Sequence, residues 1–248
     1  MNLKKIRAGV KNTSAFFIFG LGFVAEKFQI AIFKLKTYKL AQQQQNVVCR
    51  KDIMSKIFIL MGKSASGKDT LYQMLLADQA LHLKQVVPYT TRPIRSGETQ
   101  GREYHFVEET EFHKFEQEHK IIEHRVYNTV YGPWHYFTAD DGQINLSGNQ
   151  HYLMIDTLSG YIQLVQYFGT SQVVPLYIEV EDGLRLSRAL DRERTQKEPK
   201  YAELCRRFLA DTEDFSEDNL AAAKIKKRFI NIELTQCFQE LSKFISQI

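Results

Sequence analysis

Apolar positions along this chain change spacing several times, and each spacing implies an element. Ile57 to Met61 is an unbroken apolar run, the pattern of a strand buried on both faces. From Lys68 the spacing becomes helical, with Leu71, Met74 and Leu75 on one face, predicting a helix over 68–78 and a strand over 85–87. Glu109–Glu118 is predicted helical with Phe112 and Phe115 apolar, and Ile121–Val126 is predicted a strand. Further on come strand 152–156, helix 158–168, strand 173–180 despite Pro175, and helix 182–191. A charged stretch over 192–200 leads to helix 201–214, a strand near 227–232 and helix 234–247. Strands alternating with helices imply an α/β fold with a parallel sheet and right-handed crossovers. Tyr72, Tyr161 and Phe208 fall at helical spacing and are assigned to packing, as is the aromatic run Pro133–Phe137.

The first 53 residues break this grammar. They carry ten Lys/Arg against Glu26 and Asp52, whereas the rest of the chain is mildly acidic, which argues against a nucleic-acid surface there. The apolar run Ala15–Ala25 is too short to span a bilayer, and Val24-Ala25-Glu26 makes a poor signal-cleavage site. Alternating basic and aromatic residues would suit a membrane-surface anchor, so membrane contact is expected only if this segment is retained. The composition break favours an extension outside the native fold, with Met54 as the start of the globular unit. Cys49, Cys205 and Cys237 show no metal or redox spacing, and their odd number suits a reducing compartment.

The chemistry concentrates in two loops. Gly62-Lys63-Ser64-Ala65-Ser66-Gly67-Lys68 follows the buried run at P-loop spacing and opens a helix. Gly62 and Gly67 let backbone N–H groups approach phosphate oxygens, the helix start adds a positive dipole end, and Lys68 adds a mobile charge. Asp69 stands where a hydroxyl is expected. Its carboxylate is a hard ligand able to hold Mg²⁺, yet it also sets an anion beside the phosphates. Thr70 is turned about 100° further round the helix. The second loop, Tyr89–Val107, groups Arg92, Arg95, Glu98, Arg102 and Tyr104 between Pro and Gly, a set that suits recognition of a phosphomonoester and equally a solvated loop.

These residues carry a resemblance. Thr90, Thr91, Arg92, Arg95, Gly97, Glu98, Gly101 and Tyr104 match the acceptor-phosphate segment of guanylate kinases and guanylate-kinase-like domains, and the likeness extends over 54–248. It implies a P-loop nucleoside monophosphate kinase fold: a core over 54–87 and 151–248, an acceptor-binding insert over 88–137 and a lid about 192–200. It implies Arg92, Arg95, Tyr104 and Tyr131 as acceptor-phosphate ligands, and sets Glu123 against the guanine N1/N2 edge. Tyr152–Gly160 resembles the strand and aspartate turn of the family, shortened by one residue, and implies its remaining carboxylate, Asp156, as an acceptor-binding residue. Arg188, Arg192 and Arg207 fall where the family neutralises the transferring phosphoryl group, and Asn231 falls near the adenine site.

The implied activity is ATP- and Mg²⁺-dependent phosphorylation of a nucleoside monophosphate, GMP before others, in the cytoplasm. Two rivals stay open. Pro88 and Pro133 stand in place of base-contacting serines, leaving guanine selectivity to Glu123, and Asp69 with Pro88 would suit a guanylate-kinase-like binding module. A kinase for another small phosphorylated acceptor, such as a ribose phosphate, would be indifferent to Glu123.

Overall fold

The computed structural model describes residues 55–129 and 132–248, so the expectations for residues 1–53 and for Tyr131 lie outside the described residues. In chain order, β1 (Ile57–Met61), α1 (Lys68–Ala77) and β2 (Leu83–Gln85) come first. Then follow β3 (Tyr89–Thr90), β4 (His105–Phe106), α2 (Glu109–Gln117), β5 (Ile121–Thr129) and β6 (Gly132–Ala139). The chain continues with β7 (His151–Ile155), α3 (Leu158–Phe168), β8 (Val173–Glu179) and α4 (Asp182–Arg194). It ends with α5 (Tyr201–Asp214), α6 (Glu217–Ala222), β9 (Arg228–Ile230) and α7 (Leu234–Ile245).

Two sheets result. The first has the order β2-β7-β1-β8-β9, and all its pairs are parallel. It is the α/β core the alternating pattern predicts. β1 lies at its centre with all five side chains inaccessible to solvent. Strand alternation sends Ile57, Ile59 and Met61 to one side, against Tyr161 and Leu164 of α3. Phe58 and Leu60 go to the other, against Leu71 and Leu75 of α1 and Leu241 and Ile245 of α7. Each such burial contributes about 1.5–3 kcal/mol, so β1 anchors both layers. Pro175 is tolerated because β9 pairs with β8 only from Tyr177 onward, leaving that stretch of β8 flanked by β1 alone.

The second sheet, in the order β4-β3-β6-β5, is mixed and lies between β2 and β7 in the chain. Its small core joins Tyr89, Phe112, Phe137 and Ala139, with the Phe137 ring stacked 5.1 Å from Tyr89. Beside it, His124 and His135 share a ring–ring hydrogen bond of 2.8 Å, and Phe112 stacks on His135 at 4.1 Å. A bulge between Ile121 and Glu123 turns Ile122 toward the main core, while Ile121 packs in the small one. Among the contacts that join the insert to the main unit are the Ile122 side chain in the main core and an amide clamp from α3. Gln163 accepts from the His124 N–H at 3.0 Å and donates to the His124 carbonyl at 3.2 Å.

Several elements differ from the sequence expectation, among them the unpredicted two-residue strands β3 and β4. β2 lies at 83–85, not 85–87, because the chain leaves the sheet at Val86–Val87 on its way to Pro88; Val86 still donates to the Leu153 carbonyl at 3.1 Å. β6 carries the aromatic run assigned to packing, with Pro133 exposed near its start, where the missing N–H costs nothing. α6 was unexpected, since Leu220 is its one buried residue and one residue makes no period. α4 runs past 191 into the charged stretch, where the buried Glu193 carboxylate accepts from the Lys200 N–H.

Candidate active site

The loop after β1 is shaped by close backbone approaches. A Cβ at Gly62 would lie 2.5 Å from the Ile178 carbonyl oxygen, so the loop can leave the sheet there only as glycine. Gly67 has φ +83°, and a Cβ there would lie 2.5 Å from Asn231 Nδ2. Asn231 is buried and donates to the Ser66 carbonyl at 2.8 Å, so it supports the loop from beneath rather than lining an open pocket. Ala65 also takes a left-handed conformation, at φ +61°. Lys68 then opens α1, whose first-turn N–H groups and dipole favour an anion. Among the described residues its ammonium has no carboxylate within ion-pair distance. Asp69 and Thr70 are exposed on the same turn.

Helices α4 and α5 grip the outer edge of this loop. Asp211 accepts from the Ser64 N–H at 2.7 Å, and Lys63 pairs with Asp182 at 3.4 Å. Arg185, fully buried, links the two helices through Asp182 at 3.0 Å and Asp211 at 3.5 Å, with its guanidinium 3.9 Å above the Phe208 ring. Of the expected phosphoryl-neutralising arginines, Arg188 donates to the carbonyls of Asn231 (3.0 Å) and Ile232 (2.9 Å), which fixes the loop after β9. Arg192 borders a small hollow with Ser64, Arg207 and Phe208. Arg207 is the one that reaches the central cleft.

On the insert, Arg92 is buried in a forked ion pair with Glu98, both distances 2.7 Å. Its Nε donates to the Tyr136 hydroxyl at 3.1 Å, and its guanidinium lies 5.3 Å from the Tyr104 ring. The hydrogen bond from Arg92 holds the Glu98 carboxyl below its ordinary value. Arg95 is exposed, and Glu98 accepts its backbone N–H at 2.8 Å. Burial pushes the Tyr104 phenol up to about 12. Neither Arg92 nor Arg95 lines the central cleft, and Arg92 packs against the ring of Tyr104, which does.

Glu123 and Asp156, expected to act on the acceptor, do converge. A guanidinium lies between them. Arg125 pairs with Glu123 at 3.1 Å and with Asp156 at 2.9 Å, and Thr138 donates to Glu123 at 3.0 Å. Burial raises the Asp156 carboxyl, against the pull of Arg125. Arg125 was missed in the sequence, although β-strand alternation sets residues 123 and 125 on one face of the predicted strand.

A cleft of about 310 Å³ unites the two sides: Gly62 and Lys68 from the loop, Tyr104, Arg125 and Asp156 opposite, and Arg207 from α5. Asp69 opens onto an adjoining cleft of about 320 Å³ with Arg102 and Glu103, the two sharing Pro88, Tyr104 and Ile155. Among the described residues no three His, Cys, Asp or Glu side chains are grouped to hold a metal ion.

The profile of the guanylate kinase family matches residues 54–206. This chain belongs to the guanylate kinase family. Guanylate kinase of Porphyromonas gingivalis is 26% identical over 200 residues, covering 78% of this chain and 98% of that protein. Guanylate kinase of Dechloromonas aromatica is 30% identical over 197 residues, covering 75% and 85%. MAGUK p55 subfamily member 7 of Danio rerio is 24% identical over 205 residues, covering 78% of this chain but 34% of that protein. The crystal structure of guanylate kinase from Anaplasma phagocytophilum superposes with a TM-score of 0.52 at 20% identity, over 78% of this chain and 86% of that one, a likeness of fold. As a guanylate kinase family member the chain is a transferase of the nucleoside monophosphate kinase class.

Proposed function

We propose that this family member transfers the γ-phosphoryl group of Mg-ATP to the phosphate of GMP, giving ADP and GDP. An oxygen of the acceptor phosphate attacks the γ-phosphorus, and the bond to the β–γ bridging oxygen breaks. Such transfer depends on positioning and charge neutralisation rather than on a strong base. The observation that carries the proposal is the single cleft holding Lys68 on one wall and Tyr104 and Asp156 on the other. Lys68 and the loop amides hold the donor polyphosphate, and Arg207 with Arg192 neutralises the moving group. Tyr104 meets the acceptor phosphate, while Glu123 and Asp156 accept from the guanine edge. Asp69, exposed and without an ion pair among the described residues, fits a hard divalent cation. A Mg²⁺ ion carried with the nucleotide would supply charge neutralisation there. Residues 54–248 form the catalytic unit in this reading, with 88–137 as acceptor insert and 192–200 as lid, and ATP as donor implies the cytoplasm. Among the described residues no helix is long and apolar enough to cross a membrane.

The test is ADP release by purified protein with Mg-ATP and a panel of monophosphates. Turnover with GMP above AMP, CMP and UMP is expected, and no ADP with any of them defeats the proposal. A second reading, a binding module, draws support from the MAGUK relative and from the internal pairing of Arg92. Calorimetry separates the two: a module would bind GMP and leave Mg-ATP unbound.

A further inference from the structure

The carboxylates assigned to the acceptor's base already hold a guanidinium. Arg125 Nε lies 3.1 Å from Glu123 Oε2, Nη2 lies 3.4 Å from Glu123 Oε1, and Nη1 lies 2.9 Å from Asp156 Oδ1. Both carboxylates are closed to solvent, while Arg125 keeps 15% of its side-chain surface exposed and borders the cleft. Guanine presents N1–H and N2–H₂ donors about one carbon, the same forked pattern that a guanidinium offers.

We propose that Arg125 is a built-in competitor of the guanine edge: it fills the donor-reading site of the free protein and must leave for the base to enter, and so determines acceptor affinity and selectivity. The proposal rests on the GMP reading above. Three observations carry it. Arg125 follows Glu123 by two positions on β5, so alternation puts both on one face and the guanidinium reaches the carboxylate without bending the strand. Glu123 is then held by three donors, the third being Thr138 Oγ1 at 3.0 Å. Asp156 Oδ2, by contrast, is buried with no hydrogen-bond partner, so the guanidinium satisfies Asp156 incompletely and leaves an acceptor for an incoming donor edge. Asp214 borders the same cleft and offers an acidic partner for the displaced cation. A protein whose competent state is a minor fraction binds more weakly by that fraction, so removing the competitor should strengthen acceptor binding.

The experiment compares full-length wild type with Arg125→Ala. With a competent fraction of about 10% or less, KM for GMP should fall roughly tenfold or more in the variant, with no change in KM for Mg-ATP or AMP. GMP should also raise the thermal midpoint of Arg125→Ala more than that of wild type, and added guanidinium ion should stabilise the variant and compete with GMP. An unchanged or higher KM for GMP in a folded variant overturns the proposal, as does an equal change for AMP. If Arg125→Ala does not fold, the arginine Nε–H resonance of Arg125 in wild type is followed instead. A shift on saturation with GMP but not AMP is expected, and a resonance indifferent to GMP overturns the idea. If wild type and variant phosphorylate no monophosphate, the GMP reading fails by itself, and the difference in GMP-induced midpoint still decides the competition.

Discussion

The two walls of the cleft treat charge in opposite ways. On the donor wall, Lys68 stands at the start of α1 without a carboxylate partner among the described residues, and the loop around it is shaped by backbone. On the acceptor side the buried cations are internally committed: Arg92, behind the cleft, to Glu98, and Arg125, on its wall, to Glu123 and Asp156. A backbone cradle with an unpaired lysine is ready for an anion as it stands. A set of buried ion pairs must be reorganised before it can bind, and breaking one costs several kcal/mol. In the proposed reading, acceptor selectivity resides on the side where binding must first break an ion pair.

Four measurements would break or sharpen that contrast. Lys68→Ala should lower kcat/KM by roughly 10³-fold, as for removal of a preorganised donor at the reacting phosphoryl group. Turnover near the wild-type rate in a coupled ADP assay would remove the donor wall from the chemistry. Glu98→Ala should leave the buried Arg92 unpaired and cost about 3 kcal/mol of stability by urea denaturation. It should also raise KM for the acceptor above that for Mg-ATP; equal effects on both would erase the difference between the walls.

Gly67→Ala meets two costs, the left-handed φ and the 2.5 Å approach of Asn231 Nδ2. The backbone alone accounts for about 1–2 kcal/mol. Adding Asn231→Ala should relieve only the second, and full recovery in the double variant would show that φ is not what fixes the loop. The smallest effect concerns pH. Burial and the neighbouring His135 hold the His124 pKa below its ordinary value. The unfolded chain therefore takes up the proton first as pH falls. This contribution is fully present above about pH 6.5 and is lost as pH drops below it toward the folded pKa. Urea midpoints on either side of that value, with His124→Leu as control, should show wild type losing more than the variant.

The donor wall could be read from the sequence because it is contiguous. An apolar run, two glycines and a lysine specify strand, turn and helix within a dozen positions, and the packing of β1 agrees with that reading in both layers. On the acceptor side the family resemblance implies both Glu123 and Asp156, and the structure brings their carboxylates to one guanidinium. What the resemblance missed was their pairing. Arg125 acquires its role only when β7 brings Asp156 beside β5, and no local pattern near position 125 announces that meeting. The same cause hid the function of Asn231 and Arg188, which act on main-chain groups far away in the chain. Strand β6 escaped because Pro133 and four aromatic-ring residues look like filler until a partner strand gives them register.

The side-chain amide of Gln163 on α3 offers one N–H and one C=O to the outer strand of the insert, as a neighbouring peptide would. One side chain thus imitates an additional strand for the length of a single residue. The rim of that small sheet is thereby denied to a stray segment from another molecule, which protects the protein from edgewise association at this position. Replacing this glutamine would expose a sticky seam, and self-association would be the symptom to look for.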